Sequence, residues 1–214
     1  MDDYSPIDHL VIAGPNLAEL RAWWIQSAGL PPTVGGSHTG RGTRNELVGI
    51  DSSTYIELIG PDPDQPEPGV PRSFGIDDLT GRCFSRFALA VDDLERVATT
   101  LTDHGFAAGP IVDMERSRPD GVRLTWRLCV PPDEELAGVM PFFIQWGADT
   151  PHPATDLPPA CSISGLDLSH PDGLAIAHAV EAATGARLDV TVGEASLAAT
   201  LHVAETDIDL TIRG

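Results

Sequence analysis

The chain has 214 residues, 42% of them hydrophobic, which is enough for a packed core in one large or two small domains. Its net charge is −19 and its 13 basic residues are all arginines. Such a surface repels phosphates and anionic lipids, so neither nucleic acid nor a membrane is expected as a partner. The acidic opening MDDYSPIDHLVIAG predicts no signal peptide and no membrane span.

The first part of the chain predicts a strand, a helix and two further strands. IDHLVI is a β-type run. In the helix that follows, Asn16 is the N-cap, Glu19 stands at the capping-box position and Gly29 ends the helix. TRNELVGI and TYIELIG are predicted strands joined by a turn at 51–53. The glycine-rich segment GGSHTGRG, which carries His38, is predicted to be a loop between strands.

The same order begins again at Arg86. RFALAV predicts a strand, Asp93 begins a helix and Gly105 ends it. Arg86 lies seven residues before Asp93, just as His9 lies seven residues before Asn16. The chain therefore contains an internal repeat. VRLTWRLCV and PFFIQW supply strands of the second copy, with loop-rich sequence between them.

A third, partial copy follows. It consists of SISGLDL, a helix at about 172–184, and the strand-like runs RLDVTV, SLAATLHV and DIDLTI. Proline-rich segments at 61–72 and 150–159 connect the units. The predicted fold is α+β, with tandem βαβββ modules forming curved mixed sheets around a cavity, plus the third partial module. The predicted domain boundaries are 1–72, 73–149 and 150–214.

Alternation along the strands predicts which side chains face the cavity. If the apolar set of each strand packs on the helices, one polar residue remains inside on the first and last strand of each copy. For PFFIQW this reasoning turns Phe142, Ile144 and Trp146 outward. The four polar residues predicted to converge are His9, Glu57, Arg86 and Gln145.

Two points stay open in this prediction. In VRLTWRL, either Trp126 packs on helices and Arg123 and Arg127 line the cavity, or Trp126 lines the cavity and both arginines are exposed. An unpaired buried carboxylate is costly, so Glu57 needs a metal, a proton or a cation. An ion pair between Glu57 and Arg86 is the structural alternative to catalysis.

Several of these runs resemble a known superfamily. IDHLVI, TYIELIGPDP, the VDDL that opens the second helix and the two-copy βαβββ plan resemble the vicinal-oxygen-chelate superfamily. That superfamily includes glyoxalase I, methylmalonyl-CoA epimerase, extradiol dioxygenases and bleomycin-resistance proteins. GGSHTGRGTRN, RSRPDGVRLTW and PFFIQW resemble, more narrowly, the glyoxalase-like domain proteins. The resemblance extends over nearly the whole chain and implies a small-molecule pocket.

The resemblance also implies where a metal would bind. In metal-dependent relatives the ligands stand at the positions of His9, Glu57, Arg86 and Gln145. Arg86 departs from this pattern because a guanidinium stays protonated and offers no lone pair. No cofactor is therefore expected. The alternative is a divalent metal held by His9, Glu57 and Gln145, with Arg86 turned toward solvent.

Three functions are compatible with this sequence. The first is an enzyme, a lyase, isomerase or hydrolase acting on a small oxygen-rich anion, with Glu57 as general base and His9 as the second catalytic residue. The second is a non-catalytic binding protein that sequesters a small molecule, and the third is a degenerate protein similar to extradiol dioxygenases. The residues expected to bind the ligand are Arg86, Gln145, His38, Asn45 and Trp126.

Location and assembly are predicted less directly. The cysteines, Cys83, Cys129 and Cys161, are odd in number and widely spaced, which favours reduced thiols and a cytoplasmic location. Dimers are common among the relatives, so the resemblance implies a homodimer by analogy.

Overall fold

The structure is a computed structural model that describes residues 7–118, 120–132 and 136–214. Its elements follow one another in three sets of the same order, strand, helix and three strands. The first set is β1 (Ile7–Ala13), α1 (Leu17–Ala28), β2 (Thr33–His38), β3 (Thr43–Gly49) and β4 (Tyr55–Pro61). The second is β5 (Cys83–Ala90), α2 (Leu94–Asp103), β6 (Ile111–Ser117), β7 (Arg123–Cys129) and β8 (Phe142–Trp146). The third is β9 (Cys161–His170), α3 (Gly173–Thr184), β10 (Val190–Val192), β11 (Ser196–Val203) and β12 (Ile208–Arg213).

The predicted signals at the ends of α1 are confirmed. The side chain of Asn16 accepts hydrogen bonds from the backbone N–H groups of Ala18 and Glu19, which have no partner inside the helix. Gly29 ends the helix with a φ of 78°, in the left-handed region that glycine adopts without a Cβ clash. In α2 the side chain of Asp93 likewise caps the first turn. Both helices therefore begin where the sequence predicts.

The strands of the first two sets form one closed barrel, in the order β1-β4-β3-β2-β6-β7-β8-β5. β1 pairs with β4 in parallel and with β5 in antiparallel orientation, which joins the two sets on one side. On the other side β2 meets β6, where the register has a single Cα pair, His38 and Arg116. The predicted α+β fold with curved sheets around a cavity is confirmed.

The sequence-based prediction assigned the β2 segment to a loop and did not include β6 among its strands, whereas the structure shows both as strands. In β2 the glycines serve close backbone approach and not a turn. A Cβ on Gly36 would lie 2.4 Å from the carbonyl oxygen of Ser117, the last residue of β6. A Cβ on Gly35 would lie 2.1 Å from the side-chain oxygen of Asn45 on β3. Only glycine lets β2 fit between these two strands.

The third set forms a separate sheet of four strands, β10-β9-β11-β12. The strand, the helix and the three further strands that the sequence predicts for the third copy are present, with a β10 of only 3 residues. This sheet and its helix share a core with the helix-facing side of the barrel, where Phe87 and Leu89 meet Val180 and Leu201. Among the described residues no helix combines the length and apolar character needed to cross a bilayer. The division of the chain after 72 and 149 stays a prediction.

Candidate functional site

A cavity that is partly open to solvent lies within the barrel, with about 50 Å³ of space that the centres of water-sized molecules can occupy. β1, β2, β3, β4 and β6 all contribute polar side chains to this cavity. Alternate residues of β1, β3 and β4 point inward, because successive side chains of a strand point to opposite faces of the sheet. The predicted alternation is confirmed on β1 and β4, where Leu10, Ile56 and Leu58 pack on the outside of the barrel. The polar residues that line the cavity are His9, His38, Thr43, Asn45, Tyr55, Glu57, Ser73 and Arg116.

Glu57 stands among three polar side chains. The Asn45 Nδ2 donates a hydrogen bond to its Oε1 at 2.6 Å. The Nε2 of His38 lies 3.7 Å from the same oxygen, and the Nε2 of His9 lies 3.9 Å from Oε2. Only 6% of Glu57 is exposed. Arg86 is not among the described contacts of the Glu57 carboxylate. The predicted alternative, an ion pair between Glu57 and Arg86, therefore has no support among the described residues.

The orientation of His9 is fixed by Asp8. The Nδ1 of His9 lies 2.5 Å from Asp8 Oδ1, while Asp8 Oδ2 accepts hydrogen bonds from Trp146 Nε1 at 2.8 Å and from His152 Nε2 at 3.1 Å. Burial raises the pKa of Asp8, but the hydrogen bonds from His152 and His9 outweigh burial and hold the pKa well below its ordinary value. An ionised Asp8 keeps a proton on Nδ1 of His9 and so directs Nε2 toward Glu57.

His38 is a neutral ring at pH 7, because its complete burial lowers its pKa from the ordinary value of 6.5. Its Nε2 lies 3.2 Å from the Asn45 Nδ2, which donates only, so Nε2 is an acceptor. The proton is then on Nδ1 and is donated to Thr43 Oγ1 at 2.9 Å. Tyr55 stacks on His9 with ring centroids 4.6 Å apart. Burial, together with Asp8 and Glu57, raises the pKa of Tyr55, which therefore stays a phenol.

Arg116 is the cation of the cavity wall. It is only 4% exposed, and its Nη1 has no hydrogen-bond partner in the part of the chain that the structure describes. Burial lowers its pKa, yet a guanidinium remains charged at neutral pH. No described carboxylate forms an ion pair with it, although Glu57 attracts it electrostatically. A buried cation with an unused N–H is costly unless something negative binds to it.

The structure brings together five of the seven residues that the sequence predicts for the site. These five line one cavity, and they are His9, Glu57, His38, Asn45 and Trp126. Arg86 lines a neighbouring cavity instead, and its Nη1 donates to the carbonyl oxygen of Pro131 at 2.8 Å. Gln145 lies outside the barrel, where its Nε2 donates to the carbonyl oxygen of Asp92 at 2.5 Å. The predicted convergence of all four repeat-related residues on one cavity is therefore wrong.

The error at Gln145 comes from β8, where both faces are apolar. Phe142 and Ile144 point into the barrel, and Phe143 packs on the helix side, which reverses the predicted orientation. On β7 the open question is resolved in favour of Trp126 in the cavity. Arg123 and Arg127 therefore lie on the outer face, where they pair with Glu115 and Glu95.

The residues at the relatives' metal-ligand positions do not fit a metal ion. Only His9 and Glu57 combine ligand chemistry with a place in the cavity, since Gln145 lies outside the barrel and the Arg86 guanidinium has no lone pair. His38 brings a second ring near Glu57. Within residues 7–118, 120–132 and 136–214, however, no three His, Cys, Asp or Glu side chains are arranged to hold an ion.

Three polar groups of the site escaped the sequence analysis. Arg116 lies on β6, a strand that the sequence-based prediction did not include, so no alternation pattern assigned its side chain to the cavity. Asp8 is adjacent to His9 and on a regular strand would face the opposite side, but the pairing of β1 with β5 shifts register between Ile7 and His9. His152 comes from the connector after β8, and nothing in its local sequence indicates a contact with β1.

Comparisons with known proteins place the chain among others of this architecture. It matches the sequence profile of a glyoxalase-like domain over residues 7–184. A hypothetical protein from Staphylococcus aureus, 20% identical, aligns with a TM-score of 0.63 over 97% of this chain and 85% of that one. Methylmalonyl-CoA epimerase from Streptomyces coelicolor, 19% identical, aligns with a TM-score of 0.46 over 67% of this chain and 98% of that one. No curated protein sequence matches significantly.

Proposed function

Because the chain belongs to the glyoxalase-like domain family, we propose that its barrel binds a small oxygen-rich anion and that Glu57 acts on this molecule as a general base. One observation carries the proposal. A carboxylate flanked by two imidazoles shares a cavity with a buried guanidinium, Arg116, whose Nη1 has no hydrogen-bond partner among the described residues. The anion-binding role that the sequence assigned to Arg86 passes to Arg116 in this proposal.

The chemistry that suits this arrangement is removal of a proton from a carbon next to a carbonyl group. The C–H bond breaks, the proton goes to a Glu57 oxygen, and the electron pair moves onto the carbonyl oxygen. Arg116 donates hydrogen bonds to the negative charge that develops, or to a carboxylate of the same molecule. The Asn45 amide donates to Oε1 of Glu57 at 2.6 Å and so holds the carboxylate in place. The other carboxylate oxygen, Oε2, stays available to accept the proton. Lyase and isomerase reactions that pass through an enolate both begin with this step.

A second candidate is a binding protein without chemistry. The observation in its favour is the large apolar wall of the cavity, which includes Trp126, Phe142, Ile144 and Trp146. Such a wall buries a ligand whether or not a reaction follows. A dioxygenase is not proposed, since its iron ligands are not assembled. The cytoplasmic location and the homodimer stay predictions.

The experiment is hydrogen exchange in D2O. Pyruvate and other small acids with a C–H next to a carbonyl are incubated with the purified chain, and loss of the C–H signal is followed by proton NMR. We expect the wild type to exchange at least ~100-fold faster than Glu57→Gln, the low end of what general bases contribute. The matched control is Glu46→Gln, a buried glutamate of β3 whose nearest cation is Arg21, 3.5 Å away.

The outcomes separate the two candidates. If C–H exchange is lost in Glu57→Gln and kept in Glu46→Gln, the result supports Glu57 as the general base. Exchange at the wild-type rate in Glu57→Gln contradicts it. An acid that binds to the wild type without any exchange supports the binding protein instead.

A further inference from the structure

We infer that the acid bound in the barrel carries an aromatic or similarly flat apolar body on the side opposite its charged group. This inference rests on the proposed function and names its substrate class. The cavity has two chemically distinct sides. The hydrogen-bonding side comes from β1, β2, β3, β4 and β6. The apolar side comes mainly from β7, β8 and the segment before β5, and its residues are Phe74, Trp126, Leu128, Val130, Phe142, Ile144 and Trp146.

The rings on the apolar side leave their faces uncovered by one another. Trp126 and Trp146 have centroids 5.5 Å apart with planes tilted by 49°. Phe74 and Phe142 are also 5.5 Å apart, tilted by 51°. Because the rings of each pair are tilted and do not stack face to face, the wall combines ring edges with ring faces. A flat aromatic body makes edge-to-face contacts with a wall of this kind.

Phe74 is held in a strained conformation to join this wall. Its φ is 64° and its ψ is 24°, in the left-handed region that a bulky residue rarely adopts. The neighbouring Gly75 has the same φ without any Cβ penalty. Strain of this kind persists where the surrounding structure enforces it, and it is common at ligand sites. Here it sets the Phe74 ring against Phe142 and into the cavity lining.

The charged side fixes the direction of the ligand. Arg116 and Glu57 lie on the polar side, so the acidic group belongs there and the apolar body points to β7 and β8. Two residues of that wall, Trp126 and Trp146, together with Met114 of β6 in the same cavity lining, also line an open groove on the outside of the barrel. The apolar body therefore lies at the wall that separates the cavity from solvent. Met114, with its flexible thioether, adapts that wall to bodies of different shape.

The test compares pyruvate, phenylpyruvate and phenylacetone by calorimetry with the wild-type chain. Phenylpyruvate is pyruvate with a phenyl ring on its methyl carbon, and phenylacetone has a methyl group in place of the carboxylate of phenylpyruvate. We expect phenylpyruvate to bind about 30- to 100-fold more tightly than pyruvate, as burial of one ring predicts. It should also bind at least ~10-fold more tightly than phenylacetone, because only the acid uses Arg116.

A pair of tryptophan variants shows where the ring binds. Trp126→Leu should remove most of the preference for phenylpyruvate over pyruvate. Trp23→Leu is the matched control, because Trp23 lies half-buried on α1, outside the cavity, with Arg82 over its ring. Equal affinity for pyruvate and phenylpyruvate, or an unchanged preference in Trp126→Leu, would overturn the inference.

The proposed function fails by a different result. If phenylpyruvate binds more tightly than pyruvate but no acid exchanges its C–H in D2O, the inference is supported and the role of Glu57 as general base is contradicted. If pyruvate and phenylpyruvate bind equally tightly and exchange their C–H equally fast, the general base is supported and the inference about the aromatic body is contradicted.

Discussion

The two halves of the barrel have the same strand plan but different chemistry. β1 to β4 contribute His9, His38, Asn45 and Glu57 to the cavity, whereas β6 to β8 contribute an apolar wall with three aromatic side chains and, among the described residues, one cation, Arg116. Across the β1–β5 pairing, the residue in register with His9 is Ala88, a small side chain inside the barrel. A repeated βαβββ unit therefore repeats the backbone, while the polar site belongs largely to the first copy.

The largest expected effect concerns Arg116, the cation that the second half contributes to the cavity lining. Arg116→Met should weaken binding of a small carboxylate by about 10- to 100-fold, since hydrogen bonds to charged groups contribute roughly 1.5–3 kcal/mol. The same change removes a buried charge without a described partner and should raise the free energy of unfolding by ~1–2 kcal/mol. Calorimetry and urea unfolding measure the two effects.

The control is Arg123→Met on the outer face of β7, where the guanidinium pairs with Glu115. It should change both quantities little. A loss of stability in Arg116→Met would mean that the guanidinium is already satisfied in the free protein, and would break the contrast between the halves.

The next effect concerns the junction between the halves. Asp8 of β1 accepts hydrogen bonds from His9, from Trp146 of β8 and from His152. In Asp8→Asn one amide oxygen faces three donors, so at least one buried N–H loses its partner. We expect unfolding to become easier by about 1–3 kcal/mol in urea, against less than ~0.5 kcal/mol for the exposed Asp149→Asn. Equal stabilities would show that Asp8 does not join the halves.

A third effect is acid sensitivity of the first half. The pKa of His38 is lowered in the folded chain, so below its ordinary value of 6.5 the unfolded chain binds a proton that the folded chain does not. Stability therefore falls as the pH drops through this value. Asp8, whose pKa is also lowered, adds a second decline below its ordinary value of 3.8.

Thermal melts from pH 8 to pH 4 check this expectation. His38→Gln should flatten the decline that begins near pH 6.5, and the exposed His104→Gln should leave it unchanged. A wild-type melting temperature that does not fall in this range would contradict the neutral, buried His38.

The smallest effect compares two amides that the sequence assigned to the same site. Asn45→Ala removes the 2.6 Å hydrogen bond to Glu57 and should reduce carboxylate affinity or exchange rate by about 5- to 10-fold. Gln145→Ala, outside the barrel, should stay within about 2-fold of wild type. Calorimetry measures the carboxylate affinity of both variants. Equal losses of affinity in Asn45→Ala and Gln145→Ala would contradict this prediction.

The sequence predicted those features that depend on local patterns. Capping residues located α1 and α2, and strict alternation placed His9 and Glu57 inside the barrel. The resemblance to glyoxalase-like proteins is confirmed by the family match. Patterns failed where local chemistry has two explanations. The glycines of β2 indicate a turn as well as close packing, and β8 is apolar on both faces, so its orientation depends on tertiary contacts.

Arg116 shows a different kind of failure. A run rich in arginines on an acidic protein suggests solvated surface, and only the pairing of β6 with β2 buries this one. Asp8 and His152 are 144 positions apart, and no local signal joins them.

The contact between His152 and Asp8 has a consequence for shortening the chain. All barrel strands end by Trp146, so a cut after residue 149 would keep every one of them. The truncated chain would nevertheless lose His152, and with it one of the hydrogen bonds that keep Asp8 ionised and His9 oriented. The minimal functional fragment is therefore longer than the barrel. An engineered version that discards the third unit needs the connector through residue 156, including the short helical turn Pro153–Asp156 that His152 caps.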